Sequence, residues 1–230
     1  MATMSAKIIY HGHSTIEIHS GSHIIQIDPF YNDNPAADVK ADKVNPQTIL
    51  LTHAHYDHVA DAESISKRTG AAIASNYEIT THYERKGCKT QPMNHGGTCK
   101  FPFGEAFYSI AFHTSSFMDG TYGGQPGGWV VTTGGKTIYH AGDTALFGDM
   151  ELIGRLFDID LALLPIGDGF TMGPKHALLA AKMLRAKAVV PIHYNTWPPI
   201  AQDGGAFVME LQKQHGIKGF AMKAGESAEV

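Results

Sequence analysis

Three histidines and an aspartate fall within six residues, His53-Ala54-His55-Tyr56-Asp57-His58. The run follows the aliphatic Ile49-Leu50-Leu51 and precedes a segment with helical patterning. It therefore reads as a strand-to-helix loop, where a rigid scaffold holds functional side chains. Neutral imidazole nitrogen and carboxylate oxygen are both good ligands for Zn²⁺ and similar divalent ions. Four such donors in one tight loop can serve two metals. A plain solvated loop gives no reason for this spacing.

The composition narrows the remaining choices. The chain has 230 residues, 43% hydrophobic and 17% charged, so a full core is expected, as one domain over residues 1–230. Lys plus Arg is 18 and Asp plus Glu is 22, a net charge of −4 that argues against a nucleic-acid scaffold. The unusual count is 14 histidines. Two cysteines, Cys88 and Cys99, make no disulfide framework and are expected to be idle or buried thiols. The N-terminal MATMSAKIIYHGHS lacks an export-signal pattern, and no stretch reaches the ~20 apolar residues of a membrane span. A cytoplasmic location is the expectation.

Apolar periodicity supplies the elements. Ile16 and Ile18, a Ser20-Gly21-Ser22 break, then Ile25 and Ile27 predict a β-hairpin ending at Asp28-Pro29. Trp129 to Val131, Gly134-Gly135 and Thr137 to Tyr139 repeat the pattern and end near Asp143. The pair reads as a weak internal repeat of two half-domains, or as two ordinary hairpins. Strands are expected at Ile49–Leu51, Ala72–Ala74, Ala106–Phe112, Leu161–Ile166 and Ala188–Ile192. Helices are expected at about 61–69, 77–86, 150–157, 175–185 and 205–214, with a turn at Asn94–Gly97. Two packed sheets covered by helices on the outside follow from this order.

The same strands deliver further donors. His113 follows the strand of Phe107–Phe112, Asp143 follows Thr137–Tyr139, and His193 follows Ala188–Ile192. Strand ends lying side by side can converge on one edge of the core. One strand-end histidine is ordinarily structural, but the joint pattern points to ligands.

With these residues assembled, the chain resembles the metallo-β-lactamase superfamily. The resemblance rests on His53-x-His55-x-Asp57-His58, His113, Asp143 in a Gly-Asp-Thr context and His193. More narrowly, GHS near the start, IDPF, YHAGDT, LPIGDGFTMGP and PIHYNTWP resemble a branch of small metal-dependent hydrolases related to the ascorbate-6-phosphate lactonases. The resemblance implies a four-layer αββα sandwich. It also implies that one metal takes His53, His55 and His113, that the other takes Asp57, His58 and His193, and that Asp143 bridges them. One local departure is Lys175-His176, where relatives more often carry an acidic pair; it bears on substrate preference.

A metal pair at roughly 3.5–4 Å can hold a bridging water and lower its pKa toward about 7, giving a hydroxide that attacks a carbonyl or phosphorus. Asp57 is then both ligand and the catalytic group that orients the nucleophile and accepts its proton. Zinc suits histidine-rich ligation; manganese, iron and nickel are compatible. The expected substrate is a small-molecule ester, lactone or phosphoester. An iron redox protein on the same fold and a phosphodiester or RNA nuclease are the alternatives. Neither an appended redox module nor a Lys/Arg-rich insertion is present in the sequence. No membrane or nucleic-acid partner is expected, and a homo-oligomer is left open.

Four residues are candidates for contacting substrate: His13, Asn94, His95 and Asp168. His13 reads as substrate-facing, as a support behind the ligands, or as structural; the other three sit in Gly-flanked loops. His140 is expected to pack or hydrogen-bond behind the ligands. His11, His19, His23, His82, His176 and His215 are expected at the surface. Trp197-Pro198-Pro199 reads as a pocket wall or as loop packing, and Phe117, Met118 and Tyr122 as a lid or a plain connection.

Overall fold

The computed structural model describes residues 6–230. The first five residues, part of the stretch read above for an export signal, lie outside the described residues. The first sheet takes β1 (Ala6–Tyr10), β2 (Ile16–Ser20), β3 (His23–Ile27), β4 (Thr48–Leu50), β5 (Ala72–Asn76) and β6 (Thr90–Met93). The second takes β7 (Thr98–Phe101), β8 (Gly104–Ile110), β9 (Gly127–Thr133), β10 (Lys136–His140), β11 (Leu161–Pro165), β12 (Ala188–Ile192) and β13 (Lys218–Gly219). β14 (Ser227–Glu229) returns to pair with β1.

The two seven-stranded sheets have one topology. Their orders are β14-β1-β2-β3-β4-β5-β6 and, reversed, β7-β8-β9-β10-β11-β12-β13. In each, an antiparallel hairpin leads into strands that run parallel: β2-β3 into β4, β5 and β6, and β9-β10 into β11, β12 and β13. The weak hairpin repeat in the sequence thus corresponds to an architectural duplication.

Period-two side-chain alternation builds the layers. Ile8, Ile18, Ile25, Leu50, Trp129, Val131, Ile138, Leu163 and Val190 point between the sheets and form one apolar cluster. Their neighbours point outward. Ile49, Leu51 and Ile73 pack on α2 (Ala62–Thr69) and α3 (Tyr77–Arg85), which follow the four-residue α1 (Tyr56–Val59). Val130, Tyr139, Leu164 and Val189 pack on α4 (Met150–Leu156), α5 (Pro174–Met183) and α6 (Gly204–His215). Strands buried on both faces read as continuous apolar runs. The result is the four-layer αββα sandwich.

Three details differ from the sequence reading. The histidine-rich loop becomes helical already at Tyr56, with the His58 N–H donating to the His55 carbonyl at 3.0 Å. β1, β6, β7, β13 and β14 were not anticipated; the last is three residues long and β13 only two. His11 is buried rather than exposed, because its ring pairs with Asp38 at 2.8 Å and packs on Tyr31. Cys88 is buried and Cys99 half-buried, and both are free. Among the described residues, no helix is long and apolar enough to cross a membrane.

Candidate metal centre

The strands β4, β8, β10 and β12 end on one edge of the sandwich, and the loops beyond them bring seven side chains together. His53, His55 and His113 offer nitrogens within 4.8 Å of one another. Asp57, His58 and His193, joined by His13, form a second group by the same measure, and His53, His58 and Asp143 a third. Asp143 lies at the centre. Its Oδ2 is 3.0 Å from His193 Nε2, 3.4 Å from His58 Nε2, 3.5 Å from His113 Nε2 and 3.9 Å from His53 Nε2. One carboxylate oxygen faces donors of both groups.

Local backbone conformation makes this convergence possible. Gly142, just before Asp143, has φ +62, and a Cβ there would meet the Gly127 carbonyl oxygen at 2.7 Å and Thr52 Cβ at 2.9 Å. Only glycine suits both the left-handed backbone and the close approach. His13, Asp28 and His193 also have positive φ, at 57, 46 and 53. Such conformations in non-glycine residues cluster where the surrounding structure over-determines a functional geometry.

Outer partners fix the imidazoles. Asp28 is fully buried. Its Oδ2 accepts from His58 Nδ1 at 2.7 Å and from the Thr52 hydroxyl at 2.6 Å, and its Oδ1 accepts from the Thr52 N–H at 2.8 Å. The Thr52 oxygen is 3.0 Å from His53 Nδ1. Both rings therefore donate from Nδ1, which leaves Nε2 as the nitrogen that would ligate a cation once any proton on it is displaced. Asp28 was read in the sequence as a turn residue. The available signal was the repeat, in which Asp28 and Asp143 each close a hairpin.

The electrostatics of the site set buried imidazoles against buried carboxylates. Burial opposes charge on His58, yet Asp143, Asp57 and Asp28 outweigh it and hold the ring well above the ordinary histidine range. His193 is raised to about 9, again against burial, chiefly by Asp143. Burial pushes His53 well down, and lowers His55 and His113. Asp57 and Asp143 lie far below the usual carboxylate range: burial opposes this, and the imidazoles around them prevail. His58 Nε2 and Asp143 Oδ1 are buried without a hydrogen-bond partner among the described residues. Buried polar atoms are almost always satisfied, so these two unpartnered atoms, with the surrounding imidazole and carboxylate set, fit divalent cations.

The centre forms the floor of a cavity of about 600 Å³. His55, Asp57, His113, Asp143 and His193 reach it; Phe30, Tyr56, Phe170, Trp197 and Ile200 form its walls, with Asp33 and Thr114 the remaining polar lining. Phe30, Tyr56 and Phe170 were not singled out in the sequence.

The other candidates from the sequence are placed differently. His13 is fully buried behind Asp57, with Nε2 2.9 Å from Asp57 Oδ2 and Nδ1 2.8 Å from Thr196 Oγ1. Asn94 and His95 do not line the cavity. His95 packs on the Tyr108 ring with centroids 4.8 Å apart and donates from Nε2 to the Pro126 carbonyl. Asp168 is exposed and accepts from the Gly169 N–H at 2.8 Å; Phe170, two residues on, is the member of that loop lining the cavity. Of the four substrate-contact candidates, none lines the cavity: His13 and His95 are held by protein partners, while Asn94 and Asp168 are exposed and bond through their side chains only to the next residue. His140 is buried, with Nε2 3.0 Å from the Ser14 carbonyl oxygen and Nδ1 accepting from the Gly142 N–H. Phe117 is buried against His82, 3.8 Å between centroids, and with Met118 it lines a neighbouring cavity rather than this one. Lys175 and His176 are exposed on α5 and stand outside the cavity lining.

A family model described as a beta-lactamase superfamily domain matches residues 23–194. The chain belongs to the metallo-β-lactamase superfamily. It is similar to a UPF0173 metal-dependent hydrolase of Thermus thermophilus, 53% identical over 96% of this chain and 97% of the relative. A UPF0173 metal-dependent hydrolase of Bacillus cereus is 49% identical over 96% of this chain and 98% of its own. Among solved structures, Igni18, a metallo hydrolase from the archaeon Ignicoccus hospitalis, is 36% identical with a TM-score of 0.91, covering 98% of both chains. This superfamily member is accordingly a metal-dependent hydrolase.

Proposed function

We propose that the chain holds two divalent cations and hydrolyses an ester, lactone or phosphoester bond of a small molecule. The observation that carries the reading is the position of Asp143 Oδ2, within 4 Å of imidazoles from both donor groups. His53, His55 and His113 would hold one ion, Asp57, His58 and His193 the other, and Asp143 both. Histidine-rich ligation favours zinc, with manganese, iron and nickel compatible. When bound, such a pair polarises the oxygen that gains charge and makes a water acidic enough to serve as nucleophile near neutral pH.

The protein's own part is positioning and proton handling. Asp57 Oδ2 is tied to His13 and faces His58 Nε2 and His193 Nε2, each at 3.7 Å, so the carboxylate would ligate through Oδ2 and use its other oxygen to orient the attacking water and accept its proton. Asp28 keeps His58 aimed at the centre and prevents it from turning. Phe30, Tyr56 and Trp197 shield the floor from bulk water, which strengthens electrostatic interactions there.

The test is a panel of ester, lactone and phosphodiester substrates offered to metal-stripped protein before and after addition of a defined metal. Turnover that appears on loading and disappears on chelation supports the reading. Loaded protein that turns over none of the panel overturns it.

A further inference from the structure

The cavity walls say what the non-reacting part of the substrate is made of. We infer that the site selects acyl compounds carrying an uncharged apolar group, such as aryl or alkyl esters and lactones, and discriminates against those carrying a carboxylate or phosphate away from the reacting bond. The inference rests on the hydrolase reading above and narrows it.

The wall is a run of aromatic rings. Trp197 lies 6.0 Å from Phe30 between centroids, and Phe30 lies 6.0 Å from Tyr56 in an edge-on arrangement. The Trp197 ring also packs edge-on against the buried His13 at 5.0 Å, so its position is held from behind. Phe170 adds a fourth ring, 64% exposed, from the loop after β11. Together with Ile200 these side chains come from four separate segments yet line one cavity. Tyr56, Trp197 and Phe170 expose ring surface, while Phe30 is buried and backs Tyr56 and Trp197; exposed aromatic surface gathered in a concave site is the common form of an apolar ligand pocket.

Charge points the same way. None of the lining residues is Lys or Arg, and the one acidic side chain outside the ligand cluster is Asp33, which accepts a hydrogen bond from the Tyr56 hydroxyl. Cations held by the floor residues would attract the reacting oxygen. A second anionic group, held at the wall, would meet Asp33 and no cation, and would lose water without gaining a partner.

Three hydroxamates separate the possibilities, since each chelates through the same group: acetohydroxamate, 3-phenylpropionohydroxamate and succinic monohydroxamate. Binding to the zinc-loaded full chain is read by calorimetry. We expect the phenyl compound to bind about tenfold or more tightly than acetohydroxamate, and the succinic compound to bind no better than acetohydroxamate. Phe170→Ala and Trp197→Ala should each reduce the ratio of phenyl to acetohydroxamate affinity. Asp33→Asn should improve succinic binding several-fold. Equal binding of the acetyl and phenyl compounds, or tightest binding of the succinic one, overturns the inference and leaves the hydrolase reading standing. If no hydroxamate binds the loaded protein, the metal reading itself fails and this inference with it.

Discussion

His13 Nε2 lies 2.9 Å from Asp57 Oδ2 while its Nδ1 lies 2.8 Å from the Thr196 hydroxyl oxygen. The Asp57 carboxylate is acceptor-only, so His13 carries its proton on Nε2 and accepts from Thr196 at Nδ1. The His13 carbonyl also accepts the His193 N–H at 2.8 Å. One buried residue thus positions two of the proposed ligands. Replacing it by Ala should weaken metal binding roughly 10–100-fold, and Thr196→Val should have a smaller effect in the same direction. Competition with a fluorescent chelator measures both; unchanged affinity in His13→Ala would remove the positioning role.

Asp57 has a role separable from ligation. Asp57→Asn keeps an oxygen donor but cannot take a proton. The variant should retain part of its metal while turnover falls by about 10²–10⁴-fold. Parallel measurement of metal content and kcat separates the two effects, and undiminished turnover would rule out Asp57 as the proton acceptor.

Without metal, stability should peak near pH 6.5. His193, raised to about 9, contributes stability that is complete below the unfolded value of 6.5 and is lost as pH climbs through 9. His13 acts from the other side. Burial, and then the neighbouring His193, lower it to about 4, so its contribution is lost as pH falls from 6.5 through 4. Thermal melts in excess chelator across pH 4–9 test this. A melting temperature that rises steadily from neutral pH to 9 would contradict the His193 assignment.

The core between the sheets depends on Trp129, which is fully buried and donates from Nε1 to the Leu51 carbonyl at 3.1 Å. Trp129→Ala leaves a cavity beside the strand that feeds the histidine-rich loop and removes one of two side-chain donors to the Leu51 carbonyl, the other being the Ser75 hydroxyl at 2.8 Å. A loss of about 3–5 kcal/mol is expected, with Tm falling on the order of 10 °C. Differential scanning calorimetry provides the measurement.

Much of this site was legible because its chemistry is concentrated. Four of the seven clustered side chains sit in one hexapeptide, and the other three follow apolar runs that could only be strands. The duplication was visible for the same reason: both hairpins close on an aspartate. What escaped was set by distant contacts. His95 sits in a glycine-rich turn that looks suited to substrate, but its ring is occupied by Tyr108 and the Pro126 carbonyl. His11 looks like a surface histidine until Asp38, 27 positions away, arrives beside it. Phe30 and Phe170 are ordinary aromatics in sequence, and the fold alone brings them into one wall.

The number of cations held per chain bears most directly on all of this. Metal-stripped protein should be loaded with zinc, freed of excess ions and assayed by mass spectrometry for bound metal. We expect two ions per chain, reduced toward one in His113→Ala and in His193→Ala, and held most weakly in Asp143→Ala. A wild-type chain that retains one ion or none, or a count indifferent to Asp143, would contradict the paired centre.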